Sequence, residues 1–190
     1  HLGHVFTGEN FTSKNIRYCI NYKSLEYIKS DECLSKGSFA QAILAAGCFW
    51  GVETLFQKKD GVVKTKVGYI GGNVSNPTYE DICSGNTGHY EAIKLIYDIN
   101  KIDYKALCKY FFEIHDPYQL DGQGPDRGSQ YLSAIFTQDS QEIEQINCLI
   151  DKLSEQAKVS TKVLDLAVFW EAEDYHQKYI QKNNLASCGG

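Results

Sequence analysis

Phe39-Ala40-Gln41-Ala42-Ile43-Leu44-Ala45-Ala46-Gly47-Cys48-Phe49-Trp50-Gly51-Val52-Glu53-Thr54-Leu55-Phe56 is the stretch on which the fold turns. Phe39 to Ala45 is a short apolar run suited to a buried strand, Gly47 lets the backbone turn, and Phe49, Val52 and Phe56 then recur at helical spacing. The order is strand, tight turn, helix, with Cys48 at the turn.

Downstream, Val63, Thr65, Val67 and Tyr69 alternate as a strand that Gly71-Gly72 ends. Asn76-Pro77 reads as a helix start, Asn as cap and Pro in first position, ahead of a short helix carrying Tyr79. Glu91, Ile93, Leu95 and Tyr97 fall on one face of a strand, so an acid heads an otherwise apolar row. Asp103 is expected to cap a helix with Leu107, Phe111 and Ile114 as its buried stripe. Asp116 to Gln130, rich in Gly, Asp and Pro, reads as a long loop of the kind that carries function. Tyr131 to Phe136 reads as a strand, and Ile143, Ile146, Ile150 and Leu153 mark an amphipathic helix. The tail after Asn183 is expected to be mobile.

Upstream, residues 1–30 hold short β-like stretches at His4-Val5-Phe6 and Arg17-Tyr18-Cys19-Ile20, followed by Tyr27-Ile28. Residues 31–38 are polar and small, as in a linker, with the boundary near residue 35. Strands and helices mix without a strict βα repeat, which predicts an α+β fold: a two-layer α/β sandwich with a mixed sheet, of ferredoxin-like type, preceded by a short β-like N-terminal extension.

The 190 residues carry a net charge of -5, with Lys and Arg scattered among the acids rather than gathered into a patch, which argues against a nucleic-acid partner. No apolar run approaches the roughly 20 residues that span a bilayer, and His1 to Glu9 lack the pattern of a signal peptide. A soluble, cytoplasmic protein without a membrane partner is expected. The chain begins at a histidine, which leaves room for a removed upstream segment. Seven cysteines, an odd number with no C-x-x-C pair, support neither a disulfide framework nor a zinc finger; separate thiols in a reducing compartment fit better.

Cys48 stands where the first N–H groups and the positive end of a helix dipole favour thiolate, which predicts a low thiol pKa and a nucleophile; the competing reading is a small buried hydrophobe. Phe49-Trp50 can wall an apolar pocket large enough for a thioether methyl group. Glu91, on its apolar row, should have a raised pKa because burial disfavours the carboxylate. His89, His115 and His176 lack ligand-like spacing and read as hydrogen-bonded supporting histidines, with Tyr175 and His176 beside the pocket.

Gly47-Cys48-Phe49-Trp50-Gly51, Gly68-Tyr69-Ile70-Gly71-Gly72, Asn76-Pro77-Thr78-Tyr79-Glu80, Gly88-His89-Tyr90-Glu91-Ala92, His115-Asp116-Pro117, Gln123-Gly124-Pro125-Asp126, Ser129-Gln130-Tyr131 and Tyr175-His176-Gln177 follow one another in this order. Together, over about residues 39 to 183, they resemble the A-type peptide methionine sulfoxide reductases. The resemblance implies Cys48 as nucleophile, Phe49 and Trp50 around the substrate methyl, and Glu91 as the acid that protonates the sulfoxide oxygen. It further implies Tyr79 and Tyr131 as hydrogen-bond donors to that oxygen and Asp126 as an orienting group. The S epimer at sulfur is the expected substrate, free or in oxidised proteins. A monomer with no bound cofactor or metal is expected, taking electrons from a thioredoxin-like dithiol.

The chemistry agrees: a sulfoxide is a poor electrophile until its oxygen is protonated, so thiolate and general acid are needed together. Attack leaves methionine and a Cys48 sulfenic acid, which a second thiol converts into an intramolecular disulfide. Cys188, on the glycine-flanked tail, is the expected second thiol because a resolving cysteine must travel. Cys83 is a local alternative expected to be buried; Cys33, Cys108 and Cys148 read as structural or incidental. Rival readings are a thiol acyl-transferase or peptidase with His89 or His176 as base, and a non-catalytic redox sensor pairing Cys48 with Cys188.

His1-Leu2-Gly3-His4-Val5-Phe6 and Arg17-Tyr18-Cys19-Ile20-Asn21 resemble the C-terminal end of a B-type methionine sulfoxide reductase, in which His1, His4, Arg17 and Asn21 would surround the nucleophile Cys19. About thirty residues cannot bury a core of their own. The division expected is therefore a B-type remnant without activity at 1–30, a linker at 31–38, and the A-type domain at 39–190.

Overall fold

The computed structural model describes the strand backbones Gly3–Thr7 and Ile16–Ile20 and the chain from residue 38 to residue 185. It divides into two compact units, His1–Gly37 and Ser38–Gly190. In the first, β1 (Gly3–Thr7) and β2 (Ile16–Ile20) pair antiparallel, with His4 opposite Cys19 and Phe6 opposite Arg17. The expectations at Tyr27-Ile28, the linker, Cys33 and the Cys188 tail lie outside the described residues.

The second unit is organised by β3 (Phe39–Ala46), β4 (Val62–Ile70), β5 (Tyr90–Asp98) and β8 (Ser133–Phe136). Helix α1 (Phe49–Gln57) joins β3 to β4, and α3 (Tyr104–Glu113) lies on the path from β5 to β8. The sheet runs β4-β5-β3-β8, with β5 between β3 and β4, and β3 between β5 and β8; each adjacent pair is antiparallel. Two split βαβ units are thus interlocked, which is the ferredoxin-like arrangement. The edges extend it: β10 (Trp170–Glu171) pairs antiparallel with β4, and β9 (Lys162–Leu164) lies parallel to β8. The result is the mixed six-stranded sheet.

Alternation assigns the faces. Ala42, Leu44, Ala46, Ile93, Leu95, Tyr97 and Ile135 point to the helical layer and bury Val52 and Phe56 of α1, Leu107 and Phe111 of α3, and Ile146 of α4 (Ser140–Ser154). Leu44, Phe56, Leu107, Phe111 and Ile146 are wholly inaccessible, each contributing about 2 kcal/mol or more. The other face carries Ile43, Ala45, Ala92, Ala134 and Phe136, with Leu164 and Phe169 packed against them.

Asp103 caps α3 as expected, its carboxylate accepting the Ala106 N–H at 2.7 Å. Asn76-Pro77 does not start the next helix. Asn76 is left-handed (φ 50), and α2 (Tyr79–Cys83) is capped by Thr78, whose side chain and that of Asp81 accept each other's backbone N–H in a capping box. Two reciprocal hydrogen bonds outweigh proline's fixed φ. Tyr131 likewise does not begin a strand: it ends a 3-10 turn at Ser129–Tyr131, and β8 starts at Ser133.

Candidate active site

The site is built where β3 stops. Gly47 adopts φ +87, and a Cβ there would lie 2.5 Å from that of Gln123, so glycine is required both by conformation and by the close approach of the Asp116–Gln130 loop. Cys48 is the N-cap residue of α1, half-buried. Opposite, Glu91 projects from β5 on the helical face, 2 % exposed, and its Oε2 accepts the Phe49 N–H at 3.2 Å. The first turn of α1 is therefore shared between a thiol of its own and a carboxyl group from the sheet.

Burial pushes the Glu91 carboxyl up to about 8, with the charge of Asp126 adding to it and the Phe49 N–H opposing it. At neutral pH this acid keeps its proton. The thiol departs from the low pKa expected at a helix N-terminus: burial, then the neighbouring Glu91 and Asp126 charges, push Cys48 up to about 11, although the Trp50 and Gly51 N–H groups pull it down. A dipole effect limited to the first turn is outweighed by loss of water and two acids.

The loop from Asp116 to Gln130 is laced rather than slack. The Gln123 amide pairs with Asp116, accepting its N–H at 2.9 Å and donating to its carbonyl at 3.0 Å, and Gln119 accepts the Gly124 N–H at 2.9 Å. A small hairpin of β6 (Gly122–Gln123) and β7 (Asp126–Arg127) then delivers Asp126, and the 3-10 turn delivers Tyr131. Glu91, Cys48 and Asp126 all act electrostatically on Tyr131, raising it to about 12 after burial, its largest cause. Tyr79, at the start of α2, is raised chiefly by burial and also by Glu91 and Tyr131, so both tyrosines keep their protons beside Glu91. Cys48, Glu91, Tyr79, Tyr131 and Asp126 are thus brought together.

Phe49 is 1 % exposed and packs on Tyr69 and His176, with ring centroids 5.8 Å and 5.3 Å away. Trp50, half-buried, stacks on Tyr179 at 4.0 Å and donates its indole N–H to His176 Nδ1 at 3.0 Å. His176 therefore carries its proton on Nε2, which has no hydrogen-bond partner among the described residues and lies 3.8 Å from Glu173. Glu173 accepts the Tyr79 N–H at 2.9 Å and the Tyr69 hydroxyl at 3.0 Å. One carboxylate thus fixes the start of α2 and touches the histidine that orients Trp50.

The segment holding Glu173 and His176 is seated by polar groups in place of a strand. The Gln177 amide accepts the Val67 N–H at 3.0 Å and donates to the Val67 and Ala172 carbonyls at 2.9 Å. Lys178, left-handed at φ 55, donates its N–H to the buried Glu53, which also accepts the Thr65 hydroxyl. Glu53 and Glu173 were not singled out by sequence, and Tyr69 and Gln177 appeared there only within longer motifs and patterns, without a role. Only the Tyr175-His176-Gln177 triplet pointed to this segment, since residues 165–178 have no periodicity to read.

Neither histidine offered as a base is available. His89 accepts the Gly72 N–H at one ring nitrogen and meets the Val74 carbonyl at the other, and His176 Nδ1 is taken by Trp50. His115 is likewise engaged, by Phe111 O and Ser133 Oγ, and burial lowers it to about 4. Cys83 is exposed, not buried: α2 is five residues long and seats only Ile82 in the core. Its thiol adds to the rise in the Tyr79 pKa, after burial. Cys108 is buried in α3 and Cys148 exposed on α4. No group of His, Cys, Asp or Glu among the described residues is arranged to hold a metal ion, and no described helix is long and apolar enough to cross a membrane.

A half-buried thiol beside a protonated buried acid and two tyrosine hydroxyls, on a ferredoxin-like sheet, defines a thiol-dependent oxidoreductase acting on an oxygen that must accept a proton. Residues 40–189 match the family model described as peptide methionine sulfoxide reductase. The "Peptide methionine sulfoxide reductase MsrA" of Methanothermobacter thermautotrophicus is 44% identical over 160 residues, covering 82% of this chain and 94% of the relative. Among solved structures, reduced Mxr1 from Saccharomyces cerevisiae is 32% identical with a TM-score of 0.74, covering 80% of this chain and 90% of that one. Mxr1 in complex with Trx2 shares the fold, at 22% identity and a TM-score of 0.53, over 83% and 91% of the two chains. The chain belongs to the peptide methionine sulfoxide reductase family, A type, and reduces methionine sulfoxide to methionine with thiols as the source of electrons.

Proposed function

We propose that Cys48 attacks the sulfur of methionine S-sulfoxide while Glu91 protonates its oxygen, with Tyr79 and Tyr131 donating hydrogen bonds to that oxygen and Asp126 holding Glu91 protonated through its charge. Phe49 and Trp50 receive the methyl group. The balance is Cys48–SH plus sulfoxide giving Cys48–SOH plus methionine; a second thiol then forms a disulfide and releases water. The observation that carries this reading is the buried Glu91, protonated at neutral pH and hydrogen-bonded to the N–H of the residue after the thiol.

Cys188 is the second thiol in this reading, and a thioredoxin-like dithiol resets the disulfide; the complex of Mxr1 with Trx2 supports a reductant of that kind. Residues 1–30 are read as an inert remnant of a B-type domain, the pairing of His4 with Cys19 across β1 and β2 being the feature in its favour. The test is turnover of a racemic methionine sulfoxide derivative with dithiothreitol, each epimer followed on a chiral column. Loss of the S epimer alone, abolished by Cys48→Ser, is expected, and consumption of the R epimer would contradict an inert remnant. Cys188→Ser should slow recycling by a protein dithiol while Cys83→Ser leaves it unchanged; the reverse would reassign the second thiol.

A further inference from the structure

Five lysines from two distant stretches of the sequence meet in one groove. Lys58 at the end of α1, Lys64 and Lys66 of β4, and Lys178 and Lys182 around α5 (Tyr179–Lys182) line a depression of about 730 Å³. This corrects the expectation of scattered cations: the fold gathers them on a chain whose net charge is -5. The one acid in the lining, Glu53, is buried with its carboxylate taken by Thr65 and the Lys178 N–H. Lys66 pairs with Glu171 at 3.1 Å, whereas Lys58, Lys64 and Lys178 make no ion pair among the described residues.

Two further features define what the groove fits. The lower part of β4 is an open sheet edge among the described residues: β10 covers only Gly68 and Tyr69, and the Gln177 amide closes Val67. An extended peptide can add its main chain there while its side chains meet the lysines. The groove also shares α1 with the site: Thr54 and Gln57, one and two turns beyond Trp50, line it, and Tyr179, on which Trp50 stacks, directly follows the lining residue Lys178. Lysines alone at a sheet edge would serve to prevent aggregation. Convergence of Lys58 and Lys178 from two other elements is not needed for that.

We propose that this groove binds an acidic, extended segment of the oxidised protein substrate while the methionine sulfoxide side chain occupies the site at Cys48; the proposal rests on that reading of the site. Trp50 and Lys58 are eight residues apart on α1, about 12 Å, or about four residues of extended chain. The preferred substrates therefore carry Asp or Glu roughly three to six positions from the oxidised methionine.

The test compares full-chain protein acting on peptides with one methionine S-sulfoxide and an acidic run on one side or the other, on neutral counterparts, and on N-acetyl methionine sulfoxide, all with dithiothreitol. The wild-type chain should show a KM about tenfold lower for one acidic peptide than for its neutral counterpart, a preference lost at high salt. The triple variant Lys58→Gln, Lys64→Gln, Lys178→Gln should abolish that preference and leave N-acetyl methionine sulfoxide unaffected; charge reversal to Glu should invert it. Equal KM values for the wild type would overturn the proposal, as would equal slowing of the small substrate in both triple variants. So would competition by a single-stranded oligonucleotide stronger than that of the acidic peptide, or, with a protein dithiol run beside dithiothreitol, a variant defect seen only with the protein dithiol. Absence of any wild-type turnover of N-acetyl methionine sulfoxide would instead remove the site reading on which the groove depends.

Discussion

Replacing Glu91 by Gln keeps the oxygen that accepts the Phe49 N–H and removes only the transferable proton. If Glu91 is the general acid, kcat/KM at neutral pH falls by about 10² to 10⁴, or roughly 3–5 kcal/mol of transition-state stabilisation. The pH profile is more diagnostic. With the thiol at about 11 and the acid at about 8, the reactive state, Glu91 protonated and Cys48 ionised, is the minority one. In the wild type kcat/KM climbs with pH up to about 8 and then levels, because each gain in thiolate is offset by loss of the acid's proton. In Glu91→Gln the break at about 8 disappears and the weakened activity keeps rising, toward a thiol pKa below about 11, since the Glu91 charge that raised it is gone. Stability moves the opposite way. The carboxyl's pKa rises from 4.5 to about 8 on folding, so the folded protein holds a proton that the unfolded chain loses, and stability falls as pH rises through that window. Above about pH 8 the cost is roughly 4–5 kcal/mol. Glu91→Gln should therefore match the wild type near pH 4 and be the more stable protein near pH 9, measured by urea unfolding. A break near pH 8 that persists in the variant, or a rate loss under tenfold, would refute the acid role.

Two further substitutions probe the scaffold. Glu173→Ala leaves the Tyr79 N–H and the Tyr69 hydroxyl without their acceptor, which should cost about 2 kcal/mol in urea unfolding and lower kcat/KM at least tenfold through misplacement of Tyr79; unchanged kinetics would show that Tyr79 is placed by other contacts. Gly68→Ala would set a Cβ 2.2 Å from the Trp170 carbonyl oxygen and 2.6 Å from the Phe169 ring, so β10 must move. A loss of about 1–3 kcal/mol and early hydrogen exchange along residues 67–70 are expected.

Reading residues 39–56 works because each step there is local: an apolar run, a glycine at positive φ, and an apolar period of three to four. Glu91 is legible for a similar reason, since period two alone assigns it to the helical face. Local chemistry misled where it competed with itself: at Asn76-Pro77 the Thr78–Asp81 capping box prevailed. It was silent where elements are too short to show a period, as in the two-residue β10, whose edge is completed by the side chain of Gln177. The buried state expected for Cys83 failed because a five-residue helix has one buried position to offer.

By itself, then, the amino-acid sequence singles out Cys48 at its turn, Glu91 on its apolar row and the α+β sandwich that carries them, because motif chemistry and side-chain periodicity act over a few residues, while Tyr79 and Tyr131 enter only through the family resemblance. Only the tertiary structure decides the ionisation of Cys48 and the site of the lysine groove, because both depend on distances between residues far apart in the chain. Burial and the Glu91 charge overrule the helix end at Cys48, and Lys58, Lys64 and Lys178 become neighbours only when α1, β4 and the C-terminal segment pack together.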